Sequence, residues 1–108
     1  MVKYKQIYID FFGYYEGEFI FSEMSLTPAV DIHHIQCKGM GGSKKLDIIE
    51  NLVALNREEH NQCHRDKAFN NHVQIRHLER IRLKRPDYEI RPEYLELLKQ
   101  HYLNEPKH

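Results

Sequence analysis

The chain has 108 residues, a length that fits one domain and excludes a large buried core. Its 16 Lys and Arg balance 16 Asp and Glu, which excludes an overall polycation, although residues 65–91 are locally basic, with eight Lys or Arg against four acids. No apolar run is long enough to span a membrane, the first residues lack the apolar stretch of a secretory signal, and two cysteines suit a reducing compartment. We therefore expect a cytoplasmic protein.

The first half of the chain has the composition of short strands. Residues 7–23 are rich in Tyr, Phe and Ile and are interrupted by Gly13 and Gly17, which predicts short strands or a hairpin with a glycine turn. Residues 28–37 predict a strand that stops at a loop of glycines and lysines. Residues 51–55 predict the returning strand, so we expect a β-hairpin in the middle of the chain.

Helical signals follow this hairpin. Asn56 is a good N-cap, and Glu59 lies three residues further on, as in a capping box. Residues 69–85 predict a second helix that a proline ends. Pro92 suits the first turn of a third helix, whose apolar stripe consists of Tyr94, Leu97, Leu98, His101 and Tyr102. We favour packing of this stripe within the chain and leave a homodimer open.

Four histidines in the middle of the chain have the spacing of a metal site. His33 and His34 are adjacent on the predicted strand, so their side chains point to opposite faces. His60 and His64 are four residues apart on the predicted helix and share one face. If the hairpin folds back on the helix, His33 joins them, and three ligands with open positions are typical of a catalytic metal. Asp31 shares the face of His33 and could accept the other ring N–H of a ligand.

The order and spacing of these residues resemble a known motif. The run Val30-Asp-Ile-His-His-Ile35, a glycine loop, the run Asn51-Leu-Val-Ala-Leu55, and His60 nine residues after the asparagine together resemble the HNH endonuclease motif. His64 resembles the additional ligand of the His-x-x-x-His branch, which includes the nuclease colicins. The aromatic residues 8–21 are similar to the leader of small phage and bacterial HNH proteins.

The resemblance implies an α+β fold with a ββα-metal, treble-clef-like core. The helix of that core is expected to begin near Arg57. We expect a single HNH nuclease domain, 1–108, with an N-terminal aromatic, β-rich hairpin segment (1–27), the ββα-metal core (28–67) and a C-terminal helical extension (68–108).

The resemblance also implies a role for each matched residue. His33, His60 and His64 would bind one divalent metal ion, which is Zn, Ni, Mg or Mn. His34 would be the general base that takes a proton from the attacking water, and Asn51 would brace the loop that presents His34. Phosphodiester hydrolysis needs these groups, because water must be activated near neutral pH and a cation must stand beside the leaving oxygen. We therefore expect a metal-dependent DNA endonuclease of a bacterial or phage-infected cell.

The chain departs from the family at a second metal site. Many relatives hold a structural zinc with two Cys-x-x-Cys pairs, and the corresponding positions here are Ser22, Ser25, Asn56 and Glu59. Because no sulfur remains there, we expect this zinc to be absent and packing to replace it. The two cysteines, Cys37 and Cys63, lie elsewhere, and we interpret Cys63 as a buried, inert thiol.

Cations near the motif are candidate contacts to the phosphates of nucleic acid. They are Lys38, Lys44, Lys45, Arg57 and Arg65. The basic stretch 76–85 is either a second electrostatic footprint or a solvated helix face. We expect double-stranded DNA as the partner, and no base-reading module is recognisable.

Two other interpretations stay open. The histidines could hold zinc purely for structure, in a non-catalytic nucleic-acid-binding module. The chain could also be an accessory protein of a phage packaging or restriction system that cleaves only inside a complex. A structural site has no use for His34 on the opposite strand face and usually recruits thiolates, which favours the nuclease.

Overall fold

The computed structural model describes residues 3–15, 17–36 and 46–104. Within these ranges the chain is an α+β fold with four α-helices and a two-stranded antiparallel sheet, which confirms the predicted class. None of these helices is both long and apolar enough to cross a membrane. The elements in chain order are α1 (Lys3–Phe12), β1 (Asp31–His34), a 3-10 helix (Ile49–Asn51), β2 (Leu52–Leu55), α2 (Arg57–Arg65), α3 (Lys67–Lys84) and α4 (Pro92–Asn104).

The N-terminal segment begins as a helix, so the predicted strands or hairpin over residues 7–23 are wrong. Helix α1 places Tyr8 and Phe12, four residues apart, on one face, and both side chains are buried in the core. Aromatic residues favour strands mainly because strands bury one face, and this helix buries its aromatic face equally well. Gly13, at a φ of 73°, follows the helix, and the described residues between there and β1 form an isolated β-bridge instead of a hairpin.

Strands β1 and β2 form the predicted hairpin and set the two faces of the sheet. Asp31 pairs with Leu55 and His33 pairs with Val53, so these four side chains share one face. Val53 and Leu55 pack there with Cys63 of α2. The opposite face packs on α1 and on the second half of α3, in a cluster that includes Tyr8, Phe12, Ile32, Leu52, Ala54, Leu78 and Ile81. The sheet thus separates the side chain of His33 from that of His34.

Polar caps fix where α2 and α3 begin. Asn56 accepts a hydrogen bond from the backbone N–H of Glu59 at 2.8 Å, and the Glu59 carboxylate accepts one from the Asn56 N–H at 3.0 Å, which confirms the predicted capping box. Helix α3 begins two residues earlier than predicted, because Asp66 caps it by accepting from Phe69 N–H at 3.1 Å. These caps leave only one residue between the two helices.

Helix α4 packs against the core through part of its predicted stripe. Tyr94 and Leu98 are buried, whereas Leu97 and Tyr102 are 43% and 44% exposed. The loop before α4 is anchored by the buried carboxylate of Glu50, which accepts from Arg91 Nη1 at 2.7 Å and from Arg91 N–H at 2.9 Å. Packing of the stripe within the chain is therefore confirmed for Tyr94 and Leu98.

A buried carboxylate connects three segments of the core. Glu23 accepts hydrogen bonds from the Tyr8 hydroxyl at 2.6 Å and from Nδ1 of His77 at 2.9 Å, and Nε2 of His77 donates to the carbonyl of Ile49 at 2.6 Å. With Glu23 ionised, the carboxylate and the carbonyl can only accept, so both ring nitrogens of His77 donate, an arrangement that favours the protonated, cationic ring. Burial lowers the pKa of His77, but attraction to Glu23 and the two hydrogen bonds raise it more, so the net shift is upward.

Candidate metal centre

Three histidines come together where β1 faces α2. The ring centroid of His33, a buried residue, lies 4.9 Å from that of His60 and 5.3 Å from that of His64. The Nε2 atoms of His60 and His64, one turn apart on α2, are 2.9 Å apart. One nitrogen from each ring lies within 4.8 Å of the other two. The three residues are therefore close enough to bind one metal ion, as the spacing predicted.

The chemistry of this cluster fits a divalent ion. In a tetrahedral zinc site with bonds of about 2.0–2.1 Å, ligand nitrogens lie roughly 3.3 Å apart. This value falls between the 2.9 Å that separates the Nε2 atoms of His60 and His64 and the 4.8 Å limit for the whole cluster. Burial lowers the pKa of His33 to about 4, and the neighbouring His60 and His64 lower it as well, so this ring is neutral at pH 7. Burial also lowers the pKa of His60. Neutral imidazole is the form that binds a metal.

Two polar side chains contact the ligand rings from outside. Asp31, on the strand face of His33, places Oδ2 3.3 Å from Nδ1 of His60 but does not complete a hydrogen bond to this buried nitrogen. Asn70, on α3, lies 3.1 Å from Nε2 of His33, and its own Nδ2 donates to the carbonyl of Ile35 at 2.9 Å. Contacts of this kind orient metal-binding imidazoles.

His34 lies on the opposite face of β1, in a pair with an aspartate. Its Nε2 is 2.8 Å from Oδ1 of Asp47, and the two side chains are only 17% and 12% exposed. The ring of Tyr4, on α1, packs edge-on against the imidazole with 4.5 Å between the centroids. The residue expected to be the general base is thus held from two sides.

Asn51 joins the two ends of the segment 37–45. Its side chain is fully buried, and Oδ1 accepts from the N–H of Gln36 at 2.7 Å. Its Nδ2 donates to the carbonyl of Gln36 at 3.2 Å and to that of Leu46 at 3.0 Å. The segment itself, with Cys37, Lys38, Lys44 and Lys45, lies outside the described residues.

The four positions at which the HNH resemblance would place zinc cysteines are joined by hydrogen bonds. The hydroxyl of Ser22 donates to Oε1 of Glu59 at 2.5 Å and accepts from the N–H of Ser25 at 3.2 Å. Nδ2 of Asn56 donates to the hydroxyl of Ser25 at 3.4 Å and to that of Thr27 at 2.9 Å. A polar network therefore connects the turn at residues 22–25 to the start of α2, where packing alone had been expected.

Cys63 is a buried, free thiol, as predicted. It is 6% exposed and packs with Val53 and Val73. Burial raises the pKa of this thiol to about 11, and the nearby Glu59 and Asp66 raise it too. The thiol is protonated at neutral pH and therefore a poor metal ligand.

Three residues with structural roles were missed in the sequence: Asp47 and Asn70, which contact the predicted site histidines, and Glu23, which lies in the core. Glu23 had no signal, because its partners lie 15 and 54 residues away. Asp47 follows the glycine loop four residues before Asn51, a position that could have suggested a partner for His34. Asn70 can be placed one turn into α3 once Asp66 is recognised as its N-cap, but nothing local points it towards His33.

Comparison of the chain with models of protein families, with curated proteins and with solved structures gives no match.

Proposed function

We propose that the chain is a metal-dependent endonuclease of the HNH type that hydrolyses phosphodiester bonds in DNA, with residues 28–67 as a ββα-metal core. The observation that carries the proposal is the convergence of His33, His60 and His64 on one face of β1, with His34 next to them in sequence on the other face. A purely structural metal site would have no need of the fourth histidine.

The three clustered histidines would hold the ion. Neutral imidazoles favour zinc or nickel for affinity, and magnesium or manganese are the other candidates for turnover. When bound, the ion would supply positive charge beside the oxygen on which negative charge develops as the phosphorus–oxygen bond breaks. His64 is exposed whereas His33 is buried, so a phosphate would approach from the side of α2.

His34 is the general base in this proposal. It takes one proton from water while the water oxygen bonds to phosphorus, and the bond from phosphorus to the leaving oxygen breaks. Imidazole suits the step because it ordinarily titrates near neutral pH. His33 and His34 are the last two residues of β1, so in this proposal the phosphate lies at the end of that strand, where it would contact the metal site on one face and reach His34 on the other.

The distribution of charge favours DNA on the α2 side. Arg57 and Arg65 are exposed at the two ends of α2 and flank the metal-binding pair. On the α1 side, a groove of about 540 Å³ reaches Asp31 and is lined by Asp10 and Glu18 as well as Lys5, so its net charge disfavours phosphate.

Part of the basic stretch 76–85 is engaged within the chain. Nε of Arg80 lies 4.0 Å from Oε1 of Glu23, and Arg85 donates to the carbonyl of Phe11 at 3.2 Å. The exposed cations of this stretch are Arg76, Arg82, Lys84 and Arg85, and the last of these is the one bonded to Phe11. We therefore expect it to add less to DNA binding than its sequence indicates.

Plasmid cleavage tests the proposal. Metal-stripped protein would be incubated with supercoiled plasmid, with and without magnesium, manganese, nickel and zinc, beside His34→Ala and the matched control His72→Ala, an exposed histidine of α3. We expect metal-dependent nicking by the wild type and by His72→Ala, and very little by His34→Ala. Folded, metal-loaded protein that binds DNA and never cleaves it would reject the enzyme and favour a metal-stabilised binding module. Cleavage only after addition of a packaging or restriction complex would identify an accessory subunit.

A further inference from the structure

The surroundings of His34 determine which of its ring nitrogens can accept a proton. Nε2 lies 2.8 Å from Oδ1 of Asp47, and the edge-on ring of Tyr4 limits rotation of the imidazole. Both members of the pair are largely shielded from water, at 17% and 12% side-chain exposure. A contact this short and this shielded is a geometric constraint on the ring, unlike an exposed ion pair.

A carboxylate can only accept a hydrogen bond, so Nε2 of His34 must donate, and a neutral imidazole with a proton on Nε2 keeps its lone pair on Nδ1. We propose that Asp47 is a positioning residue that holds His34 in the Nε2–H form, so that Nδ1 is the atom that takes the proton from the attacking water. This inference rests on the proposed nuclease function and adds a residue to it.

The position of Asp47 is itself fixed by Asn51. The Asn51 side chain bonds to both backbone groups of Gln36, two residues after His34, and to the carbonyl of Leu46, directly before Asp47. The buried side-chain amide of Asn51 therefore holds two backbone segments: the one that follows His34 and the one that precedes Asp47. In this proposal Asn51, whose side chain is fully buried, acts on the reaction through the Asp47–His34 pair.

The proton position can be measured directly in the metal-free protein. Long-range ¹H–¹⁵N correlation spectra distinguish the Nε2–H form, the Nδ1–H form and the imidazolium, and a 13.1 kDa chain is suited to them. At pH 8 we expect the wild-type His34 to give the pattern of a single Nε2–H form. In Asp47→Ala we expect averaged shifts, because both neutral forms become populated. Asp87→Ala, which removes an exposed aspartate of the loop before α4, is the matched control.

Kinetics provide the second measurement. We expect Asp47→Ala to lower kcat by roughly 10²-fold, the lower end of what general-base catalysis contributes, with KM and the Kd for manganese measured by calorimetry changed less than twofold. A purely structural role would instead change KM, metal affinity and Tm together. An Nδ1–H or imidazolium pattern in the wild type at pH 8, or a kcat for Asp47→Ala within twofold of Asp87→Ala, would overturn the inference. If the wild type cleaves no DNA, the proposed function fails, and the spectrum of the wild type alone decides whether Asp47 holds the ring.

Discussion

The side-chain oxygen of Asn70 lies 3.1 Å from Nε2 of His33, and the amide cannot be turned around, because its nitrogen donates to the carbonyl of Ile35 at 2.9 Å. Oδ1 of Asn70 is therefore an acceptor, and Nε2 of His33 must carry a proton. In the neutral ring, the lone pair is left on Nδ1. Asn70 thus selects the nitrogen with which His33 can bind a metal.

Removing this selection should weaken metal binding. We expect Asn70→Ala to lower the affinity for zinc or nickel by roughly 10- to 100-fold, the usual effect of losing a partner of a metal-binding imidazole. The neighbouring, exposed Asn71 provides a matched control, and Asn71→Ala should bind as the wild type does. Isothermal titration of metal into the three proteins measures the difference. Equal affinities for Asn70→Ala and Asn71→Ala would show that the contact does not orient His33.

The general base His34 and the metal ligand His60 should respond differently to substitution when metal binding and cleavage are both measured. We expect His34→Ala to keep its metal affinity and to lose 10²- to 10⁴-fold in cleavage rate, the usual contribution of general-base catalysis. His60→Ala should lose affinity and activity together and recover part of the activity at high metal concentration, because only two ligands remain. Calorimetry and plasmid cleavage on the same preparations give both quantities. Loss of metal binding in His34→Ala alone would reverse the assigned roles.

The buried cation His77 predicts a stability that falls at alkaline pH. Its folded pKa is raised above the unfolded value of about 6.5, so the stability from its protonated form is fully present below that value and is lost as the pH rises through the folded pKa. The lowered pKa of His33 acts at the other end, where stability is lost as the pH falls from about 6.5 towards 4. The change in the free energy of unfolding at alkaline pH therefore measures the contribution of His77.

Urea unfolding of the metal-free protein at pH 6, 7, 8 and 9 measures this effect. We expect the free energy of unfolding of the wild type to decrease over that range and His72→Ala to follow the same slope. His77→Gln should be destabilised by about 3–5 kcal/mol, because the Glu23 carboxylate loses its charged partner, and its slope should be shallower. A wild-type stability that rises from pH 6 to 9 would mean that His77 is neutral in the folded protein.

Features of the fold and of the site that depend on neighbouring residues could be predicted from the sequence. Features that depend on contacts between residues far apart in the sequence could not. The hairpin, the capped helix α2 and the convergence of the three histidines follow from signals no more than a few residues long, combined through one motif. Helix α1 was not predicted, because its aromatic residues are helical only where Tyr8 and Phe12 can pack on the sheet and on α3. Asn70 lies 37 residues from His33, and no local pattern distinguishes it from an ordinary helical asparagine.

The hydrogen-bonded quartet Ser22, Ser25, Asn56 and Glu59 should bind a metal once all four residues are replaced by cysteine. Because the four side chains already lie together, we expect the quadruple cysteine variant to bind one additional zinc ion through four thiolates. Elemental analysis after gel filtration should give at most one zinc per wild-type chain and two per variant chain. A triple variant that keeps Ser22 is the control and should hold the second ion weakly. Two tightly held ions in the wild type, or one in the quadruple variant, would contradict this account.

Binding to DNA should depend on Arg57 and Arg65. Each phosphate contact contributes about 0.9 to the slope of log affinity against log salt, so Arg57→Ala with Arg65→Ala should make the slope shallower by up to about two units. The paired control is Arg82→Ala with Lys84→Ala, which removes two exposed cations at the far end of α3. Fluorescence anisotropy with labelled duplex between about 50 and about 200 mM salt measures the slopes. If Arg82→Ala with Lys84→Ala made the slope shallower than Arg57→Ala with Arg65→Ala does, the DNA would bind on the α3 face instead.

The contacts of the Glu23 carboxylate can form only after most of the chain has been synthesised. The carboxylate bonds to Tyr8, 15 residues earlier, and to His77, 54 residues later, and His33 likewise needs Asn70 from α3. A nascent chain that ends just after His64 contains every histidine of the motif but lacks Asn70, which contacts His33, and His77, which pairs with Glu23. The proposed nuclease would therefore stay inactive on the ribosome until α3 has emerged, and a cell that makes it would not be exposed to a half-synthesised enzyme. For the same reason, a peptide cut to residues 28–67 should not cleave DNA.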